Sequence, residues 1–139
     1  MPDKKTTRKA QRDLRQGKKP STAAGEFVRE EVHHIREGKH GARSTKQAIA
    51  IGLSKARRAG VPLKPPRKGQ ASERTRQSAE REYEEGQGRR KPRAPSPRRS
   101  QATRSALKRE PHRAASRRSL STQARRAAAR RHHVTRSRG

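Results

Sequence analysis

Six histidines and twelve carboxylates are the residues of this chain with the chemistry to hold a metal. His33 with Glu37 and Glu30 with His34 stand four apart, so each pair shares a face of any helix that carries it, and His40 follows closely. With no cysteine, a zinc site would need three or four ligands drawn from imidazole and carboxylate alone. The pairs are sparse for that purpose. They read as solvent-facing groups, with His132 and His133 as reserve charge near the carboxyl end, and neither a metal nor a cofactor is expected. Catalysis needs a sheltered pocket with a nucleophile or a tuned acid and base, and no such constellation occurs, so no catalytic residue is assigned.

The chemistry that remains is the binding of anions. Forty Lys and Arg against twelve Asp and Glu give a formal charge of +28, for which nucleic acid, DNA or RNA, is the default partner. Arg43 and Lys46 flank the start of a helix whose first amides point outward, a physical anion site. The connection before that helix is not a nucleotide-binding P-loop, since no strand precedes it and the glycine spacing is wrong. Lys55, Arg57 and Arg58 fall near the helix end, where they complement its dipole and can help to position the element on phosphates. Most of the attraction is expected from the last third of the chain, through Arg98, Arg99, Arg117, Arg118, Arg125, Arg126, Arg130 and Arg131.

The element that positions these cations runs from Ser44 to Gly60. Ser44 and Gln47 form a capping box, Gly60 supplies the left-handed residue that ends a helix, and Pro62 forbids its continuation. Ile49, Leu53 and Ala56 recur at helical spacing, and Ala48, Gly52 and Ala59 make the same side smooth enough for a second helix to approach closely. That second helix is expected from Ser21 to Gly38, capped by Ser21 or Thr22, with Val28, Val32 and Ile35 on its apolar stripe and Phe27 at the edge. Glu31 falls beside the stripe, which leaves two placements: the rim, or contact with a cation of the following helix. The short connection Lys39 to Arg43 makes the two an antiparallel hairpin.

Only 24% of the chain is hydrophobic, with Phe27 and Tyr83 the only aromatics, so the rest is expected to be mostly disordered and helical only where ordered. Residues 1–20 read as a flexible basic arm, 21–60 as the hairpin and 61–70 as a proline-rich linker. Residues 71–88 read as a charged spacer with helical i,i+4 pairs, and 89–139 as an arginine-rich tail. That tail holds eighteen basic residues and one acid, and carries isolated, conditional helices at 101–109 and 116–131 that order on phosphate. Ser96-Pro97-Arg98-Arg99 resembles the Ser-Pro-basic-basic turns of linker-histone tails, and the tail as a whole is similar in composition to bacterial histone-like tails.

Residues Ser44 to Arg57, Ser-Thr-Lys-Gln-Ala-Ile-Ala-Ile-Gly-Leu-Ser-Lys-Ala-Arg, resemble the core of a family of small, basic, uncharacterised bacterial proteins. The resemblance implies a bacterial origin and brings no catalytic residues. The chain is therefore expected to bind nucleic acid non-enzymatically and with little sequence preference, in the cytoplasm and on the bacterial nucleoid. A protein-interaction adaptor working through the hairpin, or an RNA- or ribosome-associated basic protein, is the alternative. A hairpin of this size buries little, so a homodimer through Ala48, Gly52 and Ala56 is expected. No apolar run reaches membrane-spanning length, so no membrane insertion is expected.

Overall fold

The computed structural model of the chain describes residues 4–92 and 96–137, with side chains as far as Arg131. It is all-helical, with no strand among the described residues: α1 (Lys4–Arg15), α2 (Pro20–Arg36), α3 (Thr45–Arg58), α4 (Glu73–Gly86), α5 (Pro97–Arg109), a 3-10 turn (Arg113–Ala115) and α6 (Arg117–Ser137). The expected dominance of disorder is not what this architecture displays. His132 and His133 lie beyond the described side chains.

The first departure is α1, where a flexible arm was expected. Ala10 is buried in one cluster with Ala23, Ala24 and Phe27, and Leu14 packs against the same cluster. Lys9 pairs with Glu26 at 3.5 Å across α1 and α2. The apolar groups of α1 are few, but alanines on the partner helix let the two backbones approach, so small side chains suffice.

Helix α2 begins one residue before the expected caps, with Lys19 at the N-cap and Pro20 in the first turn. Its buried face comprises Ala23, Ala24, Phe27, Glu30, Glu31 and Ile35. Phe27 is therefore at the centre of the buried arc and not at its edge, because α1 and α3 both pack on α2. Gly38 ends the helix at φ +80°, as its position predicts.

In α3 the Ser44 side chain accepts from the Gln47 amide at 3.1 Å, while Gln47 Oε1 accepts from the Arg43 amide at 2.6 Å. The reciprocal bond thus returns to the residue before the cap. Gly52 faces the backbone of α2, where a Cβ would stand 2.6 Å from Val28 Cα. Ala56 shares the cluster of Phe27, with Leu53 packed against it, and Ala48 shares that of Ile35, with Val32 packed against that. Ile49 is half-buried. The smooth face offered to a second copy is already covered by α2 of the same chain, which removes the expected dimer surface.

The chain then packs α4 beside α3. Val61 is buried and Leu63 packs on the first cluster, so the proline-rich stretch starts against the body. Ser72 caps α4, Ala79 is its buried residue, and Gln87 Nε2 donates to the Gly60 carbonyl at 3.1 Å. Arg76, four residues before Glu80, pairs instead with Glu73.

The carboxyl third is clasped through backbone groups. The Gly41 amide donates to the Leu107 carbonyl at 2.8 Å and the Ala42 amide to that of Pro111 at 3.0 Å. Gly41 is required here, because a Cβ would collide with the Glu110 carbonyl and come within 2.6 Å of that of Pro111. Arg36 Nε donates to the Ala115 carbonyl at 2.9 Å, and Ala114 and Ala115 are buried with Ile35, Ala42 and Ala48. The helices expected to be isolated are thus tied to the connection between α2 and α3. Helix α5 starts at Pro97, so Ser96-Pro97-Arg98-Arg99 opens a helix instead of standing as a separate turn.

Candidate functional site

Docking of the 3-10 turn aims the start of α6 at the start of α3. Thr45 Oγ1 donates to the Ala114 carbonyl at 2.5 Å, and Thr45 itself is buried. Between the two elements lies a cleft lined on one side by Arg43, Ser44, Thr45 and Lys46. Arg113, Arg118, Ser119, Thr122, Gln123 and Arg126 line the other. Five cations meet there, and the lining contains no carboxylate among the described residues. The α3 amides of Thr45 and Lys46, which have no intrahelical partner by position, add the positive end of the helix dipole. Ser119 Oγ donates to the Arg113 carbonyl at 2.8 Å and Thr122 Oγ1 to that of Arg118 at 2.9 Å, so both hydroxyls serve the local backbone. What this arrangement can do is accept an anion with several oxygens, such as a phosphate.

Of the cations singled out in the sequence, Arg43, Lys46, Arg118 and Arg126 meet in this cleft. Arg58, Arg98, Arg117, Arg125, Arg130 and Arg131 are exposed outside it. Arg99 is exposed too and borders a separate cavity with Arg104, Lys55 and His40. Two residues turn inward. Lys55 is ion-paired to the buried Glu31, and Arg57, 8% exposed, donates to the carbonyls of Leu63 at 3.2 Å and Lys64 at 3.4 Å. Burial lowers the Arg57 guanidinium from its ordinary value, with Glu82 opposing the shift. Neither faces outward to a backbone phosphate. Arg113 was missed, since its place depends on a contact formed across 69 residues of chain.

A second group lies inside the junction. Glu31 is fully buried and is contacted by Lys55, by His40 Nε2 at 3.2 Å and by His34 Nδ1 at 4.0 Å. Of the two placements open for Glu31, contact with a cation of α3 is the one found. The His34 pKa is lowered by burial, against the opposing pull of Glu31 and Glu30. His33 behaves differently: it is exposed and pairs with Glu37 at 2.6 Å.

Residues 4–69 match the model of a family of unknown function (DUF6496). The matched stretch spans α1 to α3 and carries Arg43 and Lys46, whereas the arginines of α6 lie outside it. No curated protein and no solved structure matches the chain. Among the described residues no helix is long and apolar enough to cross a membrane.

Proposed function

We propose that this chain is a non-enzymatic nucleic-acid-binding protein that neutralises backbone phosphates, with the cleft between α3 and α6 as the seat of one ordered phosphate. The observation that carries the reading is the convergence of Arg43, Lys46, Arg113, Arg118 and Arg126 on one helix start without an opposing carboxylate. Like charges held together are unfavourable in the free protein, and a polyanion relieves that repulsion.

In this reading a phosphate of the strand enters the cleft, accepts from the first amides of α3 and is closed over by Arg43 and Lys46 from one side and Arg118 and Arg126 from the other. The exposed arginines of α5 and α6 follow the neighbouring phosphates. Each contact releases condensed counterions, so affinity falls steeply with salt and depends weakly on base sequence. DNA and RNA both supply the chemistry, and in a bacterial cell the nucleoid or the ribosome would present it. The adaptor reading, which works through the hairpin, has less surface to offer, because the Ala48, Gly52 and Ala56 face is filled by α2.

Two charge-matched variants test the cleft. Replacing Arg43, Lys46, Arg118 and Arg126 by Gln is expected to weaken binding to a mixed-sequence duplex more than replacing Arg58, Arg98, Arg117 and Arg130, which removes equal charge. Equal losses would reduce the cleft to bulk charge and contradict its role.

A further inference from the structure

We propose that Glu31, His34 and His40 form a binding site for one divalent transition-metal ion, zinc by the character of its donors, between α2 and the connection that leads into α3. One donor atom from each residue lies within 4.8 Å of the others. Lys55 engages only Oε1 of Glu31; Oε2 is buried with no hydrogen-bond partner and faces His40 Nε2 at 3.2 Å. His40 Nδ1 lies 2.8 Å from the Gly41 carbonyl. A carbonyl can only accept, so Nδ1 carries a proton, and Nε2 is the ring atom turned to the carboxylate oxygen. A cation shared by Nε2 and Oε2, either a second ring proton or a metal ion, satisfies both atoms.

His34 is the third donor, placed less tightly than His40. Its Nδ1 lies 4.0 Å from Glu31 Oε1, the oxygen that Lys55 also engages, while its Nε2 lies 3.8 Å from Glu30 Oε1. Glu30, at 3.8 Å, is beyond hydrogen-bond reach as it stands, but is the carboxylate nearest to hand for orienting His34 from behind once it turns to an ion. Donors about 2.1 Å from a tetrahedral ion stand about 3.4 Å apart. The 3.2 Å between His40 and Glu31 matches this, and His34, at 4.0 Å from Glu31, must close in to complete the set. Two imidazoles and one carboxylate suit zinc and leave a fourth position for water. Glu31 and His40 border a cavity that Lys55, Arg99 and Arg104 also line. The ion would pin the connection that carries Gly41 and Arg43, independently of whether nucleic acid is bound.

The test is titration of the full-length, chelator-treated protein with Zn2+ by calorimetry, and with Co2+ as a visible-absorption probe. The expected result is one equivalent bound with the absorption of tetrahedral Co2+. His40→Ala, whose residue sits on a connection and is half-buried, should weaken Zn2+ binding at least about tenfold. His34→Gln should do the same, while His33→Gln and the double change His132→Gln with His133→Gln leave binding intact. Absence of stoichiometric binding overturns the site. So does binding that survives both His40→Ala and His34→Gln, or that disappears with the tail histidines.

Discussion

Thr45 and Ala114 are 69 residues apart in the chain, yet the Thr45 hydroxyl donates to the Ala114 carbonyl at 2.5 Å. That bond sits at the base of the cleft and sets the start of α6 against the start of α3. Thr45→Val keeps the shape and removes the donor, leaving a buried carbonyl without this partner. It is expected to cost about 1–2 kcal/mol and to weaken duplex binding while the circular-dichroism helix signal persists. Unchanged affinity would mean that α6 does not need this anchor.

Gly52 has no room for a side chain, since a Cβ would stand 2.6 Å from Val28 Cα and 2.9 Å from its Cγ2. Gly52→Ala should force α2 and α3 apart and lower stability by about 1–3 kcal/mol, read as a reduced melting temperature. Because the contact is within one chain, the sedimentation coefficient is expected to stay that of the parent. A change of oligomeric state in place of a stability loss would point back to a contact between copies.

The Glu31 and Lys55 pair is structural. Glu31→Met or Lys55→Met alone leaves one member of a desolvated pair, and each is expected to destabilise by about 3 kcal/mol. Changing both, Glu31→Met with Lys55→Met, should cost less than the sum of the single changes in urea unfolding. Additive losses would show that the two side chains do not act as a pair.

Arg57 provides a contrast with the cleft. Its guanidinium holds the carbonyls that follow α3, so Arg57→Gln should lower the melting temperature and leave the salt dependence of binding unchanged. Arg118→Gln should do the reverse, reducing the slope of log affinity on log salt by about one phosphate contact.

Local signals in the chain were readable where one short segment carries its own cause. Ser44, Gln47 and Gly60 bound α3, Gly38 ends α2, and the smoothness at Gly52 marks a close helix approach. What escaped reading depends on partners far away in sequence. Helix α1 is held by Ala10 against Ala23 and Ala24, contacts too small to register as a hydrophobic period. For Glu31 the rim and a cation contact stay equally open until Lys55 and His40 are placed against it. The cleft was half visible, in Arg43 and Lys46, whereas the contribution of Arg113, Arg118 and Arg126 follows from the clasp of Gly41, Ala42 and Thr45 on residues 107–114.

The most direct measurement is the affinity of the full chain for a fluorescent mixed-sequence duplex, and for a single-stranded RNA, across a series of salt concentrations. Counterion release predicts binding at low salt, with log affinity falling linearly on log salt by several units of slope and little change between base sequences. Undetectable binding at low salt, or an affinity that high salt leaves unaltered, would contradict the account.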